Sequence, residues 1–428
     1  MVKSRERTLL EEVTDFYIQS RDFNGIPVWQ IGTRHKKTDL ENLKTIFRSL
    51  IQQDKISLAF GDRHPNPHIK AFPDEPYEVQ LEKLQNTDLL ANACVYPSAS
   101  HLKTVVDVAQ YQGKPFTLRL ALGEPQLAFE SFDLRVLEDY RNDPRYSYTT
   151  DDIQGSISVG DEYYESEEMQ SSDQVLLQSF GFCYDSQPHR AVAVFLRYLS
   201  DLSPEHQQIW NARIAKGDYE LHPDYYKASI LGSWELGVSI FDAFIEELHI
   251  INEMCKLMRR PPLFKQELEK GNKPRELSFL VRPTLRELNT FIHLLDKMLS
   301  DNLNKKFFGD DIPLEREETR KKDGKIIVRE KGTIQLLEEW LSVKVRVQER
   351  EPLDQMLETF REVRKLRQKP AHAINEDAFN QEYFQQQRAL MIRAYGAVRT
   401  LRLLFTNHPR VRGYKVPEWL QTGKIWTY

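Results

Sequence analysis

Apolar residues recur at helical spacing through most of the chain after residue 224. Positions three and four residues apart fall on one face of a helix, so this spacing predicts long amphipathic helices. An Asp-Gly pair at 323–324, flanked by strand-forming residues, predicts a β-hairpin between two of them. Helices joined by modest connections predict an antiparallel bundle. The predicted helical segments are 233–258, 284–303, 333–341, 353–369 and 377–406.

The first 150 residues carry shorter and more mixed patterns. Residues 39–53 predict a helix and residues 55–60 a strand. The alternation in PFTLRLAL (115–122) predicts another strand, and residues 132–146 predict a short helix that stops at Pro144. Helices followed by strands in this way are compatible with a winged-helix-like unit. Small α/β domains of other kinds would give the same pattern.

Residues 150–222 contain the clearest strands. Alternating or continuous apolar runs predict GSISVG (155–160), DQVLLQSFGFCYD (173–185) and RAVAVFLRYL (190–199) as strands. The last run is expected to become helical toward its end. Ser203-Pro204 then has the composition of a helix start.

These patterns together predict an α+β protein of several regions, because 428 residues exceed what one hydrophobic core usually holds. A mixed α/β region, winged-helix-like in this interpretation, is placed at 1–150. A small α/β region with strands follows at 151–222, and an all-α bundle occupies 223–428.

Composition is that of a soluble globular protein, with 40% hydrophobic and 29% charged residues. No window approaches the roughly eighteen apolar residues of a membrane span, and the start MVKSRERTLLEEVTDFY lacks the apolar block of a signal peptide. Cys94, Cys183 and Cys255 stand far apart, without zinc-type spacing. His64 and His68 have metal-like separation, but the prolines between them favour a rigid loop. We therefore expect a cytoplasmic protein with no membrane partner, no metal and no cofactor.

Charge is distributed unevenly along the chain. The formal net charge is −5, whereas residues 351–428 contain 13 Lys and Arg against 8 Asp and Glu, a balance of +5. The first 350 residues therefore carry −10. A basic end on an acidic body is expected when one module meets a polyanion.

This basic end contains the stretch RKLRQKPAHAI (364–374). Arg364 and Arg367 lie three residues apart, so a helix places them on one face. Residues five apart in an uninterrupted helix diverge by about 140°. Pro370 lacks an N–H and breaks regular helical bonding, and a bend there would turn Arg367 and His372 toward one cleft.

An arginine followed, after four intervening residues, by a histidine resembles the motif of the HEPN superfamily of helical-bundle ribonucleases. The stretch here reads Arg367-Gln368-Lys369-Pro370-Ala371-His372. The resemblance covers residues 224–410, because a predicted bundle precedes the motif and a long helix ending in LRLLFTNHP follows it. Many active members carry Asn, Asp or His after the arginine, where this chain has Gln368.

The resemblance implies a metal-independent endoribonuclease. A neutral imidazole titrates in the right range to take the proton of an RNA 2′-hydroxyl, and a guanidinium stabilises the charge that develops on the phosphoryl oxygens. His372 would be the general base or acid and Arg367 the phosphate clamp, and the product would end in a 2′,3′-cyclic phosphate. The further RNA-binding residues would be Arg361, Arg364, Gln368 and Lys369.

The family also implies a homodimer through the bundle, because HEPN nucleases usually pair two copies of the motif across a cleft. Families of this kind commonly act in toxin, stress-response or anti-phage systems. The acidic N-terminal region would then sense a trigger, hold the enzyme inactive or position the substrate. A regulatory protein or a ligand is the partner expected at this region.

Other interpretations stay open. A catalytically inactive HEPN-like module for RNA binding or dimerisation is favoured by Gln368. A solvated basic helix end would also explain the motif, because cations oppose the helix dipole. A DNA-binding regulator would use the N-terminal region, although a DNA reader normally shows a basic stripe. GDD (309–311) is better explained as a loop than as part of a metal nuclease.

Overall fold

The chain forms two compact units, Met1–Leu236 and Gly237–Tyr428. About 50% of it is helical and about 15% lies in strands, which confirms the α+β class. The computed structural model describes residues 2–34, 40–164, 166, 169–234, 237–268, 272–319, 326–368, 378–422 and 425–428. Among the helices in these ranges, none combines the length and the apolar character needed to cross a membrane.

The first unit mixes helices, most of them short, with two sheets. Its helices are α1 (Val2–Gln19), α2 (Val28–Arg34), α3 (Leu40–Gln52), α4 (Tyr77–Lys83), α5 (Thr87–Ala91), α6 (Ala99–Val105), α7 (Pro115–Ala121), α8 (Glu138–Arg141), α9 (Asp161–Tyr164), α10 (Leu196–Ser200), α11 (Pro204–Asn211) and α12 (Pro223–Ile230). Its strands are β1 (Ile26–Pro27), β2 (Ile56–Ala59), β3 (Cys94–Pro97), β4 (Phe129–Phe132), β5 (Tyr146–Thr150), β6 (Gln154–Val159), β7 (Leu176–Tyr184), β8 (Arg190–Phe195) and β9 (Glu220–Leu221).

The smaller sheet is antiparallel, in the order β1-β3-β2. Helices α1 and α3 bury their apolar stripes against it, with Val13, Phe47 and Val95 in one core. The predicted helix at 39–53 and strand at 55–60 are confirmed as α3 and β2. Helical periodicity was a sufficient signal for α3, which buries one face, whereas β2 is a short run buried at three consecutive positions.

The larger sheet is six-stranded, in the order β4-β8-β7-β6-β5, with β9 paired to β7. Strand β8 is buried at all six positions and β7 at its last five, so the two form the centre of the core. The strands predicted at 155–160, 173–185 and 190–199 are confirmed, and the last becomes α10 at Leu196, as expected. The predicted border at 150/151 falls between β5 and β6, which pair with each other.

The strand predicted at 115–122 is wrong, because this segment is helix α7. Pro115 occupies the first turn, where a missing N–H costs nothing. Phe116 and Leu120 are buried four residues apart, which is helical spacing. The side-chain Oε1 of Gln207 accepts hydrogen bonds from the backbone N–H groups of Phe116 and Thr117, which a helix N-terminus leaves unsatisfied.

The helix predicted at 132–146 is much shorter than expected. A 3₁₀ turn at Leu134–Leu137 leads into the single turn of α8, and Tyr146 already begins β5. Leu134, Val136 and Leu137 are buried in this turn, and Tyr140 is buried in α8. The helix cannot extend to residue 146, because Tyr146 pairs with Val159 of β6.

The second unit is dominated by longer helices. These are α13 (Ile240–Leu257), α14 (Leu285–Met298), α15 (Thr333–Lys344), α16 (Glu351–Gln368), α17 (Gln381–Thr406) and α18 (Glu418–Thr422). Its strands are β10 (Val238–Ser239), β11 (Glu315–Thr319), β12 (Ile326–Glu330) and β13 (Ile425–Trp426). Helix α17 packs against α13, α14 and α16, and α16 also packs against α14 and α15.

Two details of this unit bear on the sequence predictions. The helix predicted from residue 233 begins only at Ile240, because Val238 and Ser239 pair with β13 and the Ser239 hydroxyl caps the helix by accepting from the N–H of Asp242. The predicted hairpin is confirmed by the antiparallel pairing of β11 with β12. Its Asp-Gly turn lies outside the described residues.

A buried ion pair joins α13 to α17. The Arg402 guanidinium donates through Nε to Oε2 of Glu247, and both side chains are at least 95% buried. Burial raises the pKa of Glu247, and the hydrogen bond from Arg402 opposes this without reversing it. The charged form of the Glu247 carboxylate therefore depends on the hydrogen bond from Arg402.

Replacing Arg402 by Met should destabilise the second unit by about 3–5 kcal/mol, because it leaves the Glu247 carboxylate buried without its partner. The double variant Glu247→Leu/Arg402→Met should recover much of that loss, since no buried charge remains. Urea denaturation followed by hydrogen exchange in α13 and α17 measures both. Arg393→Met, at an exposed pair with Glu362, is the control and should cost less than about 1 kcal/mol. Equal losses in the single and double variants would contradict this account.

Candidate functional site

Helix α16 presents the arginines of the predicted motif from a packed support. Arg364 and Arg367 lie in its last turns, where cations are favourable, and each side chain is 29% exposed. The helix ends at Gln368, which is exposed. Lys369, Pro370 and His372 lie outside the described residues. The buried face of α16 consists of Leu353, Met356, Leu357, Thr359, Phe360 and Val363.

Both arginines bind the same two carboxylates, at the end of α14 and just beyond it. Arg367 donates through Nη1 to Oδ2 of Asp296 at 2.6 Å and to Oδ2 of Asp301. Arg364 donates through Nη2 to Oδ1 of Asp301 at 2.7 Å, and its Nε lies 3.4 Å from Oδ1 of Asp296. We call Asp296, Asp301, Arg364 and Arg367 the arginine–aspartate cluster.

The turn after α14 holds Asp301 in place. Its backbone N–H donates to the carbonyl of Asp296 at 3.1 Å. The next residue, Asn302, accepts from the N–H of Lys265 at 2.9 Å, and the preceding carbonyl of Ser300 accepts from the Thr333 hydroxyl at 2.7 Å. The turn is thus anchored on both sides of the carboxylate.

The cluster is electrostatically self-contained. Asp296 is fully buried, and a buried carboxylate is retained only when it is paired and hydrogen-bonded. Two formal positive charges face two negative ones, so the four side chains sum to zero. Hydrogen bonds to Asp296 and Asp301 raise the pKa of Arg367, which keeps it charged.

One edge of the Arg367 guanidinium is not used by the two aspartates. Its Nη1 serves both carboxylates, while its Nε–H and Nη2–H have no hydrogen-bond partner in the part of the chain that the structure describes. A guanidinium has five N–H donors in a rigid fork. Anchoring through one nitrogen therefore leaves donors in a defined orientation for a further acceptor.

The remaining predicted site residues do not join the cluster. Arg361 pairs with Glu338 of α15, with Nη2–Oε2 at 2.5 Å and both side chains about half exposed. Gln368 is an exposed helix end. The predicted convergence of Arg367 with His372 stays a prediction, because His372 lies outside the described residues.

The earlier metal candidates have other partners. The Asp311 carboxylate of the GDD stretch lies 2.5 Å from Nη2 of Arg260 and 2.5 Å from Nζ of Lys344, and it accepts from the Trp340 indole. His64 contacts the backbone of Asn66 through Nδ1 at 3.0 Å. Within the described ranges, no group of three or more His, Cys, Asp or Glu is placed to hold a metal ion.

Sequence reasoning missed Asp296 and Asp301. A usable signal was present for the first, because Asp296 lies four residues after Ile292 on the buried face of α14. A charged residue on an apolar stripe implies a buried partner. No comparable signal marks Asp301.

No family model, no curated protein and no solved structure matches the chain.

The ion pairs of Asp301 in the arginine–aspartate cluster should make the stability of the protein depend on pH in the acidic range. Burial raises the pKa of Asp301, but hydrogen bonds and charge from Arg367 and Arg364 outweigh it and hold the pKa below its ordinary value of 3.8. The contribution to stability is therefore complete above that value and is lost as the pH falls through the lower, folded-state pKa. Asp301→Asn should lower the melting temperature at neutral pH and reduce its further fall on acidification.

Thermal unfolding monitored by circular dichroism between neutral and strongly acidic pH measures this difference. The exposed Asp310→Asn is a matched control and should follow the parent protein throughout. An acid sensitivity of Asp301→Asn identical to that of the parent would contradict the pairing.

Proposed function

We propose that the second unit is a HEPN-like, metal-independent endoribonuclease in which Arg367 grips a phosphodiester beside His372. The anchored guanidinium carries the proposal. Arg367 is fixed by a fully buried carboxylate, is held charged, and retains unused N–H donors. Donors fixed before the reaction stabilise developing charge without reorganising.

The chemistry needs one proton acceptor and one proton donor. A neutral imidazole of His372 takes the proton of the RNA 2′-hydroxyl, and the freed oxygen attacks the adjacent phosphorus. The bond from phosphorus to the 5′-oxygen breaks, and that oxygen takes a proton from an imidazolium. In a homodimer of the HEPN kind, the second copy of His372 supplies that acid. The product carries a 2′,3′-cyclic phosphate.

The setting proposed for this activity is a toxin, stress-response or anti-phage system, with the first unit as the regulatory part. Its elements follow the order α1-β1-α2-α3-β2-α4-α5-β3 around a β1-β3-β2 sheet. This order differs from a winged helix, because two helices separate the strands that a winged helix joins as a hairpin. DNA reading is less well supported, because the exposed residues of α3 include Glu41 as well as Arg48. A protein or ligand partner at this unit fits its acidic balance better.

Purified protein incubated with structured RNA in EDTA should release fragments with cyclic-phosphate ends. Arg367→Ala should lower the rate by about 10²–10³-fold, as expected for loss of a charge-stabilising donor. His372→Ala should lower it by about 10²–10⁴-fold. Gel analysis and phosphatase sensitivity of the ends measure both effects.

Arg350→Ala is the matched control, because Arg350 forms an exposed pair with Asp354 at the other end of α16. It should leave cleavage unchanged. Retained cleavage by His372→Ala, or a strict requirement for a divalent metal, would contradict the proposal.

A second candidate is a HEPN-like module that binds RNA or a partner without cutting. The observation that favours it is the internal neutralisation of Arg364 and Arg367 by two aspartates. Such a cluster can be wholly structural. Wild-type protein that binds RNA but releases no fragments, with binding unchanged by Arg367→Ala, would support this second function.

A further inference from the structure

A cavity of about 220 Å³ lies in the second unit, beside α13 and α14. An engineered apolar cavity of about 150 Å³ binds benzene, so this one has room for a substituted aromatic ring. It is separate from the arginine–aspartate cluster, none of whose members lines it. Its apolar wall consists of Ile245, Leu248, Leu268, Pro274, Leu294 and Met298.

The acidic group at the cavity is already satisfied. One oxygen of Glu267 accepts from Nδ2 of Asn252 at 2.7 Å, and the other lies 3.1 Å from Nδ1 of His249. Burial raises the pKa of Glu267, but these hydrogen bonds outweigh it and lower the pKa below its ordinary value. The carboxylate therefore stays ionised and needs no cation from a ligand.

The amides at the cavity are satisfied as well. The side-chain oxygen of Asn302 accepts from the N–H of Gln266 at 2.8 Å, and its Nδ2 donates back to the carbonyl of Gln266 at 2.9 Å. Both residues line the cavity. Because these amide groups hydrogen-bond to each other, they do not require a hydrogen bond from a ligand.

One charged group remains. Lys297 of α14 lines the cavity and is exposed at its edge. No ion pair or hydrogen bond joins its ammonium to another residue within the described part of the chain. A cavity with this apolar wall and one unpaired cation at its edge fits an apolar body whose single negative charge meets Lys297, while the ionised Glu267 keeps its hydrogen bonds to Asn252 and His249.

We infer that this cavity binds a small aromatic monocarboxylate, with the ring against the apolar wall and the carboxylate on Nζ of Lys297. Burial of the ring supplies the driving force, and the charge-assisted hydrogen bond to Lys297 orients the acid. The inference is independent of RNA cleavage, because occupancy is measured directly.

The test uses the full-length chain with phenylacetate as the probe and phenylacetamide as its neutral counterpart, measured by calorimetry and ligand-observed NMR. Phenylacetate should bind saturably and about tenfold more tightly than the amide, since a charge-assisted hydrogen bond is lost in the amide. Lys297→Gln should remove that preference and leave amide binding unchanged. Lys306→Gln, at an exposed lysine outside the cavity, should change neither.

Filling the cavity provides a second readout. Leu294→Trp should abolish binding of both probes, and circular dichroism checks that this variant folds. If Leu294→Trp does not fold, the comparison of Lys297→Gln with the parent protein decides the outcome. Absence of saturable phenylacetate binding would overturn the inference. Equal affinity for acid and amide would overturn the assigned ligand class, and binding that survives Leu294→Trp in a folded protein would place the ligand elsewhere.

Discussion

Burial of the Asp296 carboxylate is the constraint on which the C-terminal end of the bundle depends. A carboxylate without solvent costs several kcal/mol unless cations and hydrogen-bond donors replace the water. Both cations come from another helix, because Arg364 and Arg367 project from the last turns of α16. The ion pairs join the last turns of α16 to the end of α14 and to the turn that follows it.

The same ion pairs bear on function in two opposite ways. They hold the Arg367 guanidinium rigidly and charged, which is what a phosphate clamp requires. They also cancel its charge at longer range, so an approaching phosphate gains little from the cluster until it reaches the unused N–H donors. Long-range attraction would have to come from the remaining basic residues of the C-terminal end. This geometry is the same whether the cluster binds a phosphate or has only a structural role. The two roles differ in whether an acceptor binds to the unused N–H groups of Arg367.

The turn that ends α14 serves two different purposes on its two sides. Asp296 and Asp301 face the arginines of α16, whereas Lys297 and Met298 line the apolar cavity. Consecutive helical residues differ by about 100° in direction, so neighbours in sequence readily reach different surroundings. The Lys265 N–H and the Thr333 hydroxyl donate hydrogen bonds to backbone carbonyls of this turn, one on each side of Asp301.

The sequence by itself determined the elements whose signals are local. Apolar residues at helical spacing predicted α3 and the long helices of the second unit, and apolar runs predicted β7 and β8. Ser203 marked the start of α11. These succeed because a side chain's position relative to its own backbone depends on a few neighbouring residues. Where a distant group completes the element, local signals mislead: Gln207, 91 residues away along the chain, satisfies the start of α7, which alternation had suggested was a strand.

Tertiary structure alone decided the partners of the candidate site. The arginine spacing was readable, but Asp296 lies 71 residues from Arg367 and Asp301 lies 66 residues from it. Which carboxylates meet an arginine follows from how α14 packs against α16 and where the intervening turn is anchored. No short-range pattern encodes this, because the energy of a buried charge depends on the whole environment that removes its water.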